Sequence, residues 1–274
     1  VPNLLEGIYA ELREGIKLRD QLVKQLMIIE GRTQNWLHRY FPEFLDVFAD
    51  WKGKAAIHTL RLFPLPAEIQ AMTPEEIVLR WKPFVRRGVG IKRAEQLVLA
   101  ANESVGLTVS TTFAKRELAS LLEQYDLYKQ QVQSLDEDLE DMVKEIPGAT
   151  EMMNIPGLGA ITVATLYAEA GDLRNYNHPQ QLVNLAGLSL REYSSGKYKG
   201  ETRITKRGRK RLRRALYLAI RPLAHNSTFK ALHQYYTKRP ERPLKKQQSL
   251  IALCCKLLRV LFVIGNKQCA FDGV

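Results

Sequence analysis

The sequence predicts an all-α protein in which a long helical linker and a coiled coil precede a helical domain. Three observations support this prediction: apolar residues recur at helical spacing near the N-terminus, an a/d alternation fills the middle of the chain, and strand signals are weak throughout. With 274 residues, 45% of them hydrophobic, the chain is long enough to bury a core. We expect a helical linker region at 1–112, a coiled-coil helix at 113–147 and a domain at 148–274.

The N-terminal region is predicted to open with one or two long helices. Its apolar residues keep helical spacing between positions 4 and 41, and Pro42 ends the pattern. Shorter helices separated by prolines should follow. One of them is predicted to start at Thr73, because this capping residue is followed by Pro74 at the first helical position and Glu76 at the third.

A 3-4 alternation of apolar residues is the clearest periodicity in the chain. Nine consecutive a/d positions predict a long helix that packs along one seam; they are Leu118, Leu121, Tyr125, Tyr128, Val132, Leu135, Leu139, Met142 and Ile146. Two partners for this seam remain open: the chain's own first helix, or a second copy, which would make the protein a homo-oligomer. Pro147 and Gly148 should end the helix.

The cysteines and the last apolar run indicate in which cellular compartment the protein resides. An odd number of cysteines, two of them adjacent at Cys254 and Cys255, fits a reducing cytoplasm better than a disulfide framework, and no CxxC spacing predicts a zinc site. The run at 250–264 is predicted to be a buried helix rather than a membrane span, because Lys256 and Arg259 interrupt it. No basic-then-apolar signal segment opens the chain.

Positive charge is concentrated in one fifth of the chain. The formal net charge is +12, but 17 Lys and Arg against two acids lie at 197–246, whereas the other residues hold 24 basic and 27 acidic side chains. Such an uncancelled excess is typical of contact with an anionic partner.

The densest part of this region, the basic cluster at 203–214, surrounds Gly208 with eight cations: Arg203, Lys206, Arg207, Arg209, Lys210, Arg211, Arg213 and Arg214. Several guanidinium groups side by side favour nucleic-acid phosphates, with affinity that falls steeply as salt rises. The alternative is a solvated helix face, which we disfavour because too few acids lie nearby to pair with the cluster. Leu212 and Leu216 predict a helix directly at its end.

Residues 155–164, which we call the glycine turn, have the form of a helix-hairpin-helix turn. Gly157 and Gly159 lack the Cβ that would keep a phosphate away from backbone N–H groups, and the N-terminus of the following helix carries partial positive charge. The alternative is a tight helix connection that needs glycine only for packing. Residues 88–94 form a weaker second copy.

A Ser-Ser-Gly-Lys stretch lies between the glycine turn and the basic cluster. By itself it is typical of an ordinary turn. Ser195 becomes a candidate nucleophile for phosphodiester transfer through its position, because Lys197, Lys199 and Arg203 are close enough in sequence to stabilise the charge that develops on the phosphate.

The order and spacing of these motifs resemble the transposase domain of the insertion-sequence one-ten family, kin of the Piv DNA invertases. The resemblance covers about residues 150–225, and residues 4–146 look like that family's linker and coiled-coil region. It rests on Pro-Gly-Leu-Gly-Ala-Ile-Thr at 156–162, Ala-Glu-Ala-Gly-Asp at 168–172, Ser-Gly at 195–196, Ile-Thr-Lys-Arg-Gly at 204–208 and Leu-Arg-Arg-Ala-Leu at 212–216.

The resemblance implies a DNA recombinase whose serine attacks DNA and holds it covalently. That serine corresponds to Ser195, with Ser194 as the adjacent rival. It also implies DNA and a guide (bridge) RNA as partners, dimers or tetramers, and a bacterial or archaeal, nucleoid-associated protein.

The family's RuvC-like nuclease domain, with four acidic residues and Mg²⁺, is expected to precede residue 1. We therefore expect no metal site in this chain, solvent-facing acids at 136–141, and no cleavage by this part alone. Two other interpretations stay open: a non-catalytic helix-hairpin-helix scaffold for DNA or structured RNA, and a coiled-coil oligomerisation module whose basic face is incidental.

Overall fold

The computed structural model describes residues 5–85, 89–191, 194–195, 198–199 and 202–271. In this part of the chain α-helices predominate, and the strands are two-residue segments, which confirms the all-α prediction. Contacts divide the chain into two compact units: unit 1 joins Val1–Asp20 to Gln133–Val274, and unit 2 is Gln21–Val132. The three-part division at 112 and 147 stays a prediction about domain organisation.

Two long helices, α1 (Ile8–Tyr40) and α7 (Thr111–Lys144), each contribute to both units. Within unit 1 they lie antiparallel: Arg19 Nη2 is 3.0 Å from Asp136 Oδ2, and a Cβ at Gly15 would come within 2.8 Å of Leu139 Cδ2. The predicted seam thus contacts the chain's own first helix. Pairing with a second copy stays a prediction.

Unit 2 holds five shorter helices between the two long ones: α2 (Phe44–Val47), α3 (Lys54–Leu62), α4 (Pro66–Gln70), α5 (Pro74–Trp81) and α6 (Ile91–Asn102). The predicted start at Thr73 is confirmed, because Thr73 Oγ1 accepts a hydrogen bond from the Glu76 N–H at 3.3 Å and the Glu76 carboxylate accepts one from the Thr73 N–H at 2.8 Å. The core of unit 2 is rich in aromatic residues. The buried Trp81 indole donates to Thr59 Oγ1 at 2.8 Å, so its polar atom is satisfied.

Unit 1 holds the remaining helices: α8 (Ala149–Met153), α9 (Ala160–Ala170), a 3-10 helix (Leu173–Asn175), α10 (Pro179–Leu185), α11 (Lys210–Leu223), α12 (Ser227–Lys238) and α13 (Lys246–Lys267). Between α10 and α11 lie four short strands: β1 (Leu190–Arg191), β2 (Ser194–Ser195), β3 (Tyr198–Lys199) and β4 (Arg203–Ile204).

Helix α13 supplies much of the unit 1 core. It is 22 residues long and apolar enough, by length and composition, to cross a membrane. Eight of its residues are nevertheless buried in the protein, among them Leu253, Leu257 and Leu261. The apolar side of α13, which the sequence predicted to be buried, therefore packs within unit 1. The three cysteines are free, and Cys254 is buried in this helix.

Candidate nucleic-acid interface

The short strands form two antiparallel ladders that carry the candidate serine. Strand β1 pairs with β4, with Arg191 opposite Arg203, and β2 pairs with β3, with Ser195 opposite Tyr198. The segment that contains Ser195 is thus a hairpin whose two ends meet where the basic cluster begins. Lys197 lies outside the described residues, as do the side chains of Ser195 and Lys199. Sequence reasoning missed these strands because two-residue pairs are too short to show an alternating pattern.

Two glycines hold the loop of the basic cluster against the end of α10. Gly208 has a φ of 141°, and a Cβ there would strike the Leu185 carbonyl oxygen. Gly187 has a φ of 67°, and a Cβ there would come within 2.7 Å of the Arg207 carbonyl oxygen. Backbone hydrogen bonds complete the contact, with the Lys206 N–H donating to Gly187 O at 3.0 Å. The loop that presents the cations is therefore fixed through its backbone.

The predicted helix is present as α11, but it begins at Lys210, within the basic cluster, rather than directly after it. Leu212, Leu216 and Ile220 are buried at helical spacing, which leaves the basic residues of its first two turns toward the surface. No acidic residue lies in the first turn, where acids usually complement the partial positive charge of a helix N-terminus. Side-chain cations and the helix dipole therefore add to the same positive potential.

Part of the basic cluster is neutralised within unit 1. Glu169, whose side chain is 4% exposed, lies 3.0 Å from Arg211 Nη1 and 3.7 Å from Arg209 Nη1. Arg211 Nε also lies 2.6 Å from Asp20 Oδ2. Burial lowers the pKa of Arg211, but its hydrogen bonds to Asp20 and Glu169 raise it, and the net direction is upward. The expectation that nearby acids could not pair with the cluster is wrong for these two arginines.

A third arginine is engaged with the backbone. Arg213 Nη1 donates to the Ala186 carbonyl oxygen at 2.8 Å, which ties α11 to the end of α10. Four cluster cations are exposed and form no ion pair with any acid in the described part of the chain; they are Lys206, Arg207, Lys210 and Arg214. These four side chains are the cations of the cluster that remain available to an anionic ligand.

The glycine turn lies at the other end of α11. Gly157, between α8 and α9, has a φ of 95°, and a Cβ there would come within 3.3 Å of Leu223 Cδ2 and 3.2 Å of Asn226 Nδ2. Since Glu169 at the C-terminal end of α9 holds Arg211, helices α9 and α11 run antiparallel. From Arg211 to Leu223 the helix rises about 18 Å. The turn and the basic cluster are therefore separate parts of a surface rather than one pocket.

The two glycines of the turn differ in their surroundings. Gly157 is required by its backbone conformation and by its neighbours, which is the packing interpretation. Gly159 caps α9 with a φ of −82°, and a Cβ there would meet nothing within 4 Å. The backbone at the start of α9 is therefore open to an approaching group. In the weaker copy, Gly88 lies outside the described residues, and Gly90 caps α6 with open space around it.

A known family matches this part of unit 1. Residues 149–237 match the Transposase IS116/IS110/IS902 family. This part of unit 1 is therefore similar to the transposase domain of that family. The matched residues run from α8 almost to the end of α12, so they contain the glycine turn, the serine hairpin and the basic cluster.

Curated proteins similar to the chain agree with this match. The transposase of insertion sequence element IS1328 from Yersinia enterocolitica is 27% identical over 162 residues, 57% of this chain and 47% of that protein. The transposase of IS1111A from Coxiella burnetii is 32% identical over 136 residues, 49% of this chain and 36% of that protein. The pilin gene-inverting protein of Moraxella bovis is 26% identical over 125 residues, 45% and 38% respectively. The chain thus matches about half or less of each relative's length.

Three of the acids expected to face solvent near the end of α7 form ion pairs. Asp136 binds Arg19, and Lys144 lies 3.0 Å from Glu140 and 3.1 Å from Asp141. Among the described residues, no group of three or more His, Cys, Asp or Glu side chains is placed to hold a metal ion.

Proposed function

We propose that the chain is the DNA-binding and strand-exchanging part of a transposase, in which Ser195 is the nucleophile. The observation that carries this proposal is the pairing of Arg191 with Arg203. It places the base of the serine hairpin at the first residue of the basic cluster. A scissile phosphate near Ser195 would therefore lie beside a row of fixed cations.

The basic cluster would hold the nucleic-acid backbone. The four available cations, at 206–214, neutralise phosphates, while Glu169 and Asp20 hold Arg211 so that α11 presents the others in a constant arrangement. Arg209, Arg211 and Arg213 act as positioning residues in this scheme. Because phosphate contacts carry no base code, they suit DNA and a guide RNA equally, and both remain proposed partners.

In the proposed step, the bond from Ser195 Oγ to phosphorus forms as the bond to the departing sugar oxygen breaks, and that oxygen takes up a proton. Lys197, Lys199 and Arg203 would stabilise the charge on the phosphate oxygens during the transfer. The Mg²⁺ that the family resemblance implies belongs to a RuvC-like domain outside these residues, and we propose that it acts there. Oligomers would bring the two DNA partners together.

The test is a recombination assay with the complete gene product and its donor and target DNA. Ser195→Ala should abolish recombination and the covalent protein–DNA adduct, while its DNA affinity stays within about twofold of wild type. Ser194→Ala is the matched control and should retain both activities. If Ser195→Ala recombines normally and Ser194→Ala does not, the rival serine is the nucleophile. If both variants recombine normally, the domain is a non-catalytic scaffold.

A further inference from the structure

A second basic surface lies outside the basic cluster, on α12 and the turn into α13. We call it the α12 surface, and its cations are Lys230, Lys238, Arg239, Arg242, Lys245 and Lys246. None of them forms an ion pair with any acid in the described residues. In contrast to Arg211, which two carboxylates hold, five of these side chains are exposed, and Arg239 is partly buried.

One face of α12 carries charge and an aromatic ring together. At about 100° per residue, Lys230, Gln234, Lys238 and Tyr235 fall within an arc of about 140°. All four are exposed, whereas Phe229 on the opposite side is fully buried. Tyr235 is 61% exposed, so its ring is accessible to a ligand. Tyr235 and Lys238 are neighbours at a spacing of three, with Cβ atoms about 5–6 Å apart.

The turn after α12 brings further cations close to the C-terminal end of this helix. The Leu244 N–H donates to Tyr236 O at 2.8 Å, and Arg239 Nε donates to Arg242 O at 2.9 Å. Helix α13 then begins with Lys246, capped by Lys245, and has no acid in its first turn. As at α11, cations therefore stand at a helix N-terminus whose partial charge has the same sign.

These features fit one chemical class of ligand. The exposed lysines of α12, together with Lys245 and Lys246 at the N-terminus of α13, favour phosphates, and the exposed Tyr235 ring beside them favours the face of an unpaired base. A duplex keeps its bases stacked and offers no such face. The other end of α12 lies near the glycine turn, because a Cβ added at Gly157 would come within 3.2 Å of Asn226 Nδ2.

We propose that the α12 surface binds an unpaired stretch of nucleic acid, with a base stacked on Tyr235 and the flanking phosphates on Lys230 and Lys238. This inference rests on the proposed function, and it adds a second contact of different specificity. Duplex DNA would bind at the basic cluster, and the unpaired segment, from RNA or from an opened DNA strand, would bind at the α12 surface.

The test measures binding of the 274-residue chain by fluorescence anisotropy to three labelled probes: a 20-nucleotide single-stranded DNA, a single-stranded RNA of the same sequence, and the matching DNA duplex. Tyr235→Ala should weaken binding of at least one single-stranded probe about tenfold, as expected for loss of one stacked base, and leave duplex binding unchanged. Tyr235→Phe keeps the ring and should bind like wild type. The probe that responds identifies RNA or DNA as the ligand.

A charge variant tests the lysines independently. Lys230→Gln/Lys238→Gln should reduce the slope of log affinity against log salt by about 1.4 for the single-stranded probe, as expected for two lost phosphate contacts. Lys24→Gln/Lys82→Gln removes the same charge from unit 2 and should leave that slope unchanged. Thermal unfolding of every variant checks that the fold is intact.

The outcomes separate this inference from the proposed function. If wild type binds the duplex but Tyr235→Ala and the lysine variant both bind the single strands normally, the α12 surface is not a binding site and the proposed function stands. If wild type binds none of the three probes, the proposed function fails, and this inference fails with it.

Discussion

Glu169 accepts a hydrogen bond from Arg211 Nη1 at 3.0 Å, although the two residues are 42 positions apart in the chain. The bond joins the C-terminal end of α9 to the first turn of α11. The Glu169 side chain is almost completely buried, and Asp20 binds the same guanidinium. The main role of Arg211 is therefore to stabilise the fold rather than to bind a ligand. The cations around it are thereby presented from a fixed helix.

Replacing Glu169 with Gln should destabilise the protein. The substitution leaves Arg211 and Arg209 without their shared carboxylate, and the free energy of unfolding should fall by about 2 kcal/mol. Urea unfolding followed by circular dichroism measures this loss. Asp141→Asn, in the exposed pair with Lys144, is the matched control and should change nothing measurable. Equal effects of the two substitutions would mean that the buried carboxylate does not stabilise α11.

The available cations of the basic cluster should determine the salt dependence of duplex binding. Arg207→Gln/Arg214→Gln should reduce the slope of log affinity against log salt by about 1.8, because two duplex phosphate contacts are lost. Titrations between low and moderate salt give this slope. Arg211→Gln should instead lower the stability and change the slope little. A slope that follows Arg211 rather than Arg207 and Arg214 would contradict this assignment of the phosphate contacts.

Substitutions at the two glycines of the glycine turn should distinguish a role in packing from a role in phosphate binding. Gly157→Ala should lower the free energy of unfolding by about 1–2 kcal/mol, because an alanine is strained at a φ of 95° and its Cβ crowds Asn226. Gly159→Ala should fold normally and weaken nucleic-acid binding, since its Cβ would stand where a phosphate approaches α9. Urea unfolding and anisotropy titration of both variants check this pair. If Gly159→Ala binds nucleic acid with wild-type affinity, the glycine turn has a role in packing only.

Stability should fall on the acid side of neutrality because of His233. Burial and then the charges of His225 and Lys246 lower the pKa of His233, whose Nδ1 is 2.8 Å from Ser249 Oγ. With a folded pKa below its ordinary value of about 6.5, the unfolded state binds the proton more readily, so unfolding becomes easier as pH drops below that value. Urea unfolding at pH 7.5, 6.5 and 5.5 measures the trend.

His233→Asn should flatten this pH dependence, since the amide can still bond to Ser249 but does not titrate. His58 in unit 2 also has a pKa lowered by burial and by Arg61, so part of the trend should persist until both histidines are replaced. An unchanged trend in the double variant would assign the acid sensitivity to other groups.

Much of the architecture could be predicted because its signals are local. The seam of α7, the cap at Thr73 and the presence of helix α11 all depend on neighbours within a few positions. The strands that carry Ser195 could not be predicted in this way, because each has two residues and depends on a partner up to 14 positions away. The cations of the α12 surface lie within the basic region at 197–246 that the sequence shows. The exposure of Tyr235 could not be predicted, because it depends on which face of α12 packs against the core.

The sequence by itself determined that this protein is helical, that it carries its excess charge in one region, and that its motifs resemble those of a transposase domain. Periodicity and composition contain the first two results, and the order of the motifs carries the resemblance. Only the tertiary structure decided which cations are available. Asp20 and Arg211 are 191 positions apart, yet their side chains form a hydrogen bond of 2.6 Å. An ion pair depends on distance in space, and packing of α9, α11 and α1 brings these charges together.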